Sequence, residues 1–300
     1  MHAVTEPSLF LKLTRNPRVS LRLRKKLGKL RKPRAGIAYR IPLFDTIYSG
    51  ETGNHIDNKI FMYGRHEAPT LRLLRGIALW QNAQGVKSVA LDIGTNSGAH
   101  LLAVAKICTA AYGFEPWNEV RTLATNNLAV NNLKTTVFDF GLSDHTETLP
   151  FIMPQGSNHG IGSFIKTQPG AAEDSNHGHL MLSVRKGDDV MAEHGIVPTL
   201  IKIDTEGFEK LVIKGLHNTV RQHHPAIIFE YSTLSRVDFD DEAVRNELFD
   251  APYSFYGLLP SRELTALRPF RPGERYENVL AWPGTHEELL ECVKLGNAEA

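Results

Sequence analysis

From residue 85 onward, short apolar runs alternate with segments of helical periodicity. Ser88–Ile93 (SVALDI) is an apolar run that stops at Gly94, the pattern of a strand buried on both faces. Gly98–Cys108 then repeats apolar residues at helical spacing, Ala111–Glu115 is a second strand, Asn118–Leu133 a second helix and Thr135–Phe140 a third strand. The alternation resumes with a strand at Thr199–Asp204, a helix at Glu206–His223 and a strand at Pro225–Tyr231. An acidic helix around Phe239–Phe249 and two strands, Tyr253–Leu259 and Tyr276–Trp282, close the chain. This order predicts an α/β fold, a Rossmann-like doubly wound sheet that is mostly parallel and ends in an antiparallel hairpin. Between the two runs, residues 142–186 accumulate Pro, Gly, Ser and His, which predicts an inserted hairpin and a long loop. The whole is expected to form one domain over 37–290.

Charge sets residues 1–36 apart from that domain. The chain carries 34 Lys and Arg against 33 Asp and Glu, a net charge of +1. Yet eleven of the basic residues lie between Lys12 and Arg34, with Glu6 the single acid before them. A basic arm on an acidic body points to an anionic membrane surface or to nucleic acid at residues 12–34, or else to a solvated leader. Val19, Leu23, Leu27 and Leu30 recur at helical spacing, so the arm is expected to be partly helical or disordered, and dispensable for the sheet. Phe10 is the only aromatic before Tyr39, which argues against a base-stacking platform. No apolar run reaches the roughly 20 residues of a membrane span. Two cysteines, Cys108 and Cys292, form neither a disulfide framework nor a metal knuckle and suit a cytoplasmic protein.

The first strand–loop–helix carries the clearest chemistry. In LDIGTNSGAH, Asp92 ends the strand, and Gly94, Asn96 and Gly98 belong to a tight turn into the helix. A dinucleotide fingerprint would place a third glycine in the middle of that turn so that a pyrophosphate can reach the backbone. Here that glycine is missing and an acid precedes the turn, so a nicotinamide cofactor is disfavoured. A ligand with a ribose and a positive centre but no phosphate fits better, and S-adenosylmethionine is such a ligand. Glu115, about 20 residues on, stands where an acid accepts hydrogen bonds from ribose hydroxyls. Asp139, after the third strand, is placed for an adenine amino group or for capping the next turn.

The fourth strand ends in IKIDTEGFE and the fifth in PAIIFEYS. Asp204 is expected to face the crevice as the catalytic acid–base group, with Glu206 next in line. Glu209 is expected to serve the helix dipole. Asp204 and Glu230 at adjacent strand ends can hold a divalent cation or share a proton. With no further acid beside Glu230, a metal-free site is expected. The loop histidines His159, His177 and His179 are further candidate bases, whereas His100 reads as a packing or capping residue.

The stretch LDIGTNSGAH … FEPW … NLAVNNL … GLSD … IKIDTEGFEKLVIKG … PAIIFEYS … YENVLAWP resembles the FkbM family of S-adenosylmethionine-dependent methyltransferases over about residues 86–284. Its most specific piece is I-K-I-D-x-E-G-x-E followed by L-x-x-x-K-G, and Asn127, Asn131 and Asn278 also fit. The resemblance implies a class I methyltransferase fold, S-adenosyl-L-methionine as cofactor and O-methylation of a sugar or natural-product hydroxyl. Thr95 stands where the family commonly has alanine, and Thr205 where valine is commoner. Two alternatives stay open: an RNA methyltransferase using the basic arm, and a non-catalytic cofactor-binding adaptor. The acceptor and the oligomeric state are not legible.

Overall fold

The computed structural model describes residues 9–16, 19, 23–24, 26–27, 33–152, 179–249, 253–259 and 267–298. His159, His177, much of the basic arm and the centre of the inserted loop lie outside the described residues.

The central sheet has eight strands. Five are parallel: β3 (Val89–Ile93), β4 (Ala110–Phe114), β5 (Thr136–Phe138), β9 (Leu200–Ile203) and β10 (Ala226–Glu230). β11 (Ser254–Leu258), β12 (Leu267–Pro269) and β13 (Asn278–Trp282) complete it, giving the spatial order β12-β11-β13-β10-β9-β3-β4-β5. The closing strands pair antiparallel, but β13 slots between β11 and β10, so the hairpin is threaded rather than appended. Chain order reverses between β3 and β9. In such sheets ligands bind above the carboxyl ends of the strands at that reversal.

Strand pairing decides which residues share a face. Asp92 is in register with Lys202, Lys202 with Ile228, and Glu230 with Asn278. Paired residues point to the same side, and so do residues two apart on one strand. Ala90, Leu200, Ile228 and Leu280 therefore bury one face against the helices Ala68–Ala83, Ala99–Ala105 and His286–Ala298. Asp92, Lys202, Glu230 and Asn278 lie at the upper end of that same face. Ile93, Ile203, Ile227 and Phe229 fill the other face against Gly187–His194, Glu209–Gly215 and Glu242–Phe249. These central strand residues are 0% exposed.

Three regions depart from the sequence pattern or add to it, the second being the expected inserted hairpin. Residues 35–85 fold as a hairpin, β1 (Ala38–Leu43) with β2 (Thr46–Glu51), and two helices, His55–Tyr63 and Ala68–Ala83. Asn127 and Asn131 clamp this hairpin: their Oδ1 atoms accept from Ser49 N and Ile47 N, both at 2.7 Å. Secondly, β6 (Gly141–Ser143), β7 (Glu147–Ile152) and β8 (His179–Lys186) make a small sheet in which β7 and β8 pair antiparallel. Phe151 of β7 packs on Trp117, with ring centroids 5.6 Å apart. Thirdly, the predicted helix 206–223 is two helices, Glu209–Gly215 and His217–His223. Gly215 approaches Ser143 so closely that a Cβ there would lie 1.8 Å from the Ser143 carbonyl oxygen.

The described part of the arm lies on the body. Arg15 donates to the Phe61 carbonyl through Nε (2.9 Å) and Nη2 (2.6 Å). Arg24, only 1% exposed, donates to the Thr14 carbonyl and reaches the Tyr63 carbonyl at 3.5 Å. These guanidiniums finish the carboxyl end of the helix His55–Tyr63, where carbonyls lack intrahelical donors.

Candidate active site

Two loops meet above the β3–β9 junction. In the first, Gly94, Asn96 and Gly98 all have positive φ (83°, 49° and 85°). Gly94 is required for steric reasons as well, since a Cβ would lie 1.9 Å from the Asp204 carbonyl oxygen. Thr95 ties the loop down: its Oγ1 donates to the Asp92 carbonyl (2.7 Å) and accepts from Phe114 N (2.9 Å). Glu115 then clamps it, with Oε2 accepting from Asn96 N (2.9 Å) and Oε1 from Trp117 N (3.0 Å).

The second loop repeats this plan. Glu206 sits in the left-handed region at φ 53°, so it precedes the helix instead of opening it. Glu209 is fully buried, and its Oε1 accepts from Thr205 N (2.9 Å), Thr205 Oγ1 (2.9 Å) and Gly207 N (3.1 Å). Its expected service to the helix dipole is thus joined by a structural role in holding the loop.

The cleft between the loops is walled by Gly94, Asn96, Glu115, Asp204 and Glu206, with Phe114, Trp117, Leu142, Phe151 and Phe208 as its apolar side. Asp92, 2% exposed, and Gly98, at positive φ, are not part of that lining. Asp139 is exposed and outside the lining, because β5 ends at Phe138 and Gly141 and Leu142 take the cleft-facing place.

Asp204, Glu206 and Glu230 come together, each offering a carboxylate oxygen within 4.8 Å of the others. Lys202, 1% exposed, is their counter-ion: Nζ donates to Asp204 Oδ2 (3.1 Å), the Ile203 carbonyl (3.1 Å) and Asn278 Oδ1 (3.0 Å). Asn278 passes the chain on, donating from Nδ2 to Glu67 Oε2 (3.1 Å) and Thr70 Oγ1 (3.0 Å). Glu67 Oε2 also lies 3.4 Å from His100 Nε2, so His100 is an ion-pair partner at the site rather than a simple packing residue.

The electrostatics follow from this crowding. Burial pushes Glu230 up to about 10, with Asp204, Glu206 and Glu209 adding and Lys202 opposing. Its Oε2 is buried without a hydrogen-bond partner. Burial, then Asp204, Glu209 and Glu67, lift Glu206 to about 7. Burial also works against Lys202 and Glu67 being charged. For Lys202 the carboxylates of Asp204, Glu67 and Glu230 prevail and raise it. For Glu67 the His100 hydrogen bond and the Lys202 charge prevail and hold it well below the usual range. Burial takes Glu115 to about 7 and Asp92 to about 6, against the pull of backbone N–H groups on Glu115 and of His100 and Lys202 on Asp92. Neither Asp92 oxygen makes a hydrogen bond of ordinary geometry.

Glu67 and Lys202 are the residues that pattern reasoning passed over. A lysine inside the apolar strand LIKI was a visible signal, since a lysine is almost never fully buried unless paired. Glu67 gave none. It sits in the left-handed region (φ 46°) ahead of the helix Ala68–Ala83, in a segment without periodicity.

A sequence profile described as "Methyltransferase FkbM domain" matches residues 92–255, more than half of the chain. The chain belongs to the FkbM methyltransferase family. Methyltransferase FkbM from Methylobacillus flagellatus KT is similar at 16% identity and a TM-score of 0.40, over 65% of this chain and 43% of that one. The Pyrococcus abyssi tRNA (uracil-54, C5)-methyltransferase in complex with S-adenosyl-L-homocysteine gives 12% and 0.39, over 81% and 43%. A SAM-dependent methyltransferase from Agrobacterium tumefaciens gives 8% and 0.48, over 85% and 72%. The chain thus spans less than half the length of the first two structures. No curated protein sequence matches it. Among the described residues, no helix is long and apolar enough to cross a membrane.

S-adenosylmethionine, the cofactor of the FkbM methyltransferases, suits this donor set. Glu115 uses one acceptor site on each oxygen for a backbone N–H and keeps others for ribose hydroxyls. A pyrophosphate would instead meet Glu115, Asp204 and Glu206.

Proposed function

We propose that this FkbM methyltransferase methylates a hydroxyl group of a carbohydrate or small natural product, with Glu206 accepting the hydroxyl proton. The observation that carries the reading is the gathering of Asp204, Glu206 and Glu230 beside the cleft. Carboxylates accept hydrogen bonds from hydroxyl groups and repel phosphates, so this rim favours a polyhydroxylated acceptor over RNA. When bound, S-adenosylmethionine supplies a methyl group already activated by a sulfonium. The residues of the chain provide position and proton management. Glu115 and the Gly94–Asn96 backbone hold the ribose end, and Trp117, Phe151 and Phe208 keep water from the apolar side. Asp204, fixed by Lys202, orients the acceptor and is the second candidate base. Glu206, lifted to about 7, is partly ionised at neutral pH, which suits a general base. Glu230, pushed up to about 10, stays protonated and donates a hydrogen bond. Lys202 supplies positive charge beside the reacting oxygen, so the mechanism needs no metal ion.

The arm is proposed to add contact with an anionic surface in the cytoplasm, because Leu13 (40%) and Leu23 (50%) are exposed near Lys12 and Lys26.

Transfer of labelled methyl from S-adenosylmethionine to a panel of sugars and hydroxylated metabolites tests the reading. The rate should rise with pH through about 7 as Glu206 loses its proton. Glu206→Gln should lower it by about 10²–10⁴ with cofactor affinity unchanged. Activity should survive EDTA. Loss in EDTA with recovery on adding Mg²⁺ would reassign the three carboxylates to a cation, and methylated RNA as the only product would replace the acceptor.

A further inference from the structure

A second charged cluster lies away from the cleft, around the turn between β1 and β2. Phe44 occupies the left-handed region at φ 55°, a strained place for an aromatic residue. Two guanidiniums lie over its ring: Arg65 Cζ is 4.1 Å and Arg75 Cζ 4.5 Å from the centroid. Arg72, one turn before Arg75 on the helix Ala68–Ala83, adds a third positive charge. Arg75 is committed to the fold, donating to Asp45 Oδ1 (2.8 Å) and to the Ala103 carbonyl (2.7 Å). Arg65 is different. It is half-buried, yet among the described residues it has no hydrogen bond and no ion pair, only the Phe44 ring.

A shielded guanidinium beside two like charges is costly unless an anion joins it. Among the described residues, Asp45 pairs with Arg75 and not with Arg65. Arg65 makes no hydrogen bond among the described residues, so its N–H groups are available, and a guanidinium edge matches two oxygens of a phosphate group. We propose that Arg65, Arg72 and Arg75 around Phe44 form a binding site for a phosphate-type oxyanion, separate from the methyl-transfer cleft. Burial takes the Arg65 guanidinium down to about 10, with Arg72 and Arg75 pushing the same way, and a bound dianion would reverse that trend. The phosphate belongs either to a soluble phosphorylated metabolite or to a lipid headgroup.

Calorimetry and thermal melting of the full chain with inorganic phosphate, at ionic strength held constant by chloride, test the site. Phosphate should bind and raise Tm beyond chloride. Arg65→Met, which keeps an apolar group on the ring, should weaken phosphate by about tenfold or more. Without phosphate this variant should melt no lower than the parent, because it removes a like charge. Glucose 1-phosphate competing with phosphate would identify a soluble ligand. Phosphatidic acid vesicles that sediment the parent more than Arg65→Met, with phosphatidylcholine vesicles as control, would identify a headgroup. No effect of phosphate beyond chloride would overturn the proposal, as would equal phosphate binding by Arg65→Met. A marked loss of stability in Arg65→Met without phosphate would make Arg65 a structural residue and end the proposal too.

Discussion

The two loops that meet at the β3–β9 junction are built alike and charged differently. Each forces a residue with a side chain into the left-handed region, Asn96 at φ 49° and Glu206 at φ 53°. Each is held by a buried glutamate that accepts backbone N–H groups, Glu115 in the first and Glu209 in the second. Each also uses a threonine hydroxyl, Thr95 or Thr205, as a tie. The difference lies in what remains after the ties are made. Around the first loop the cleft-lining acid, Glu115, is tied on both oxygens by backbone N–H groups. Around the second, Asp204, Glu206 and Glu230 crowd about one lysine. Under the proposed function, the same scaffold would hold a neutral ribose on one side and manage a proton on the other. Thr95 and Thr205 add hydroxyl bonds to both loops.

The contact between the loops is where the comparison breaks most easily. Gly94→Ala would drive a Cβ into the Asp204 carbonyl at 1.9 Å and impose a positive φ on alanine. The strain alone is about 1–2 kcal/mol, and the overlap adds several more by shifting one loop from the other. Melting and calorimetry with S-adenosylhomocysteine should show a lower Tm and at least a hundredfold loss of affinity, roughly 2.7 kcal/mol. Binding close to that of the parent would mean that the loops are not interlocked.

A middle-sized effect separates ligand contact from loop support. Glu115→Ala should weaken S-adenosylhomocysteine by about 1.5–3 kcal/mol, the scale of hydrogen bonds to a charged group. Glu209→Ala should instead lower Tm and alter turnover, since the Glu209 hydrogen bonds hold the second loop. Asp139→Ala, outside the lining, should leave affinity within about 0.5 kcal/mol, as for ordinary surface changes. Equal losses for Glu115→Ala and Asp139→Ala would restore Asp139 to the adenine end of the site.

The parallel strands and the placement of Asp92, Glu115, Asp204 and Glu230 at their ends were legible because a strand buried on both faces leaves a continuous apolar run that stops at the crevice. Other features leave no such trace. Periodicity runs unbroken through Leu216, where packing of Gly215 on Ser143 divides the helix. Glu67 reaches the site through a backbone turn and a partner, Asn278, that lies 211 residues away in sequence. The hairpin at 38–51 depends on Asn127 and Asn131 from a distant helix. Long-range hydrogen bonds of this kind have no local spacing to read.

A smaller gain in stability tests the polar end of the sheet face. Asp92 is 2% exposed, its oxygens lack partners, and burial raises it to about 6 from an ordinary value of 3.8. The folded state thus holds a proton that the unfolded chain releases at lower pH. Stability is fully kept below about pH 4, falls as pH rises from about 4 to 6, and stays lower above that window. Removing the charge should relieve this loss, which reaches about 3 kcal/mol because raising a pKa tenfold in equilibrium constant costs roughly 1.36 kcal/mol. A buried asparagine amide without partners gives back about 1–3 kcal/mol. The net gain for Asp92→Asn is therefore about 1 kcal/mol at pH 8, vanishing or reversing at pH 4. Tm measured for both proteins across pH 4–8 should show the difference growing with pH. A gain that is constant with pH would detach it from ionisation, and a loss that grows with pH would show that the Asp92 charge stabilises Lys202 and His100 more than burial opposes it.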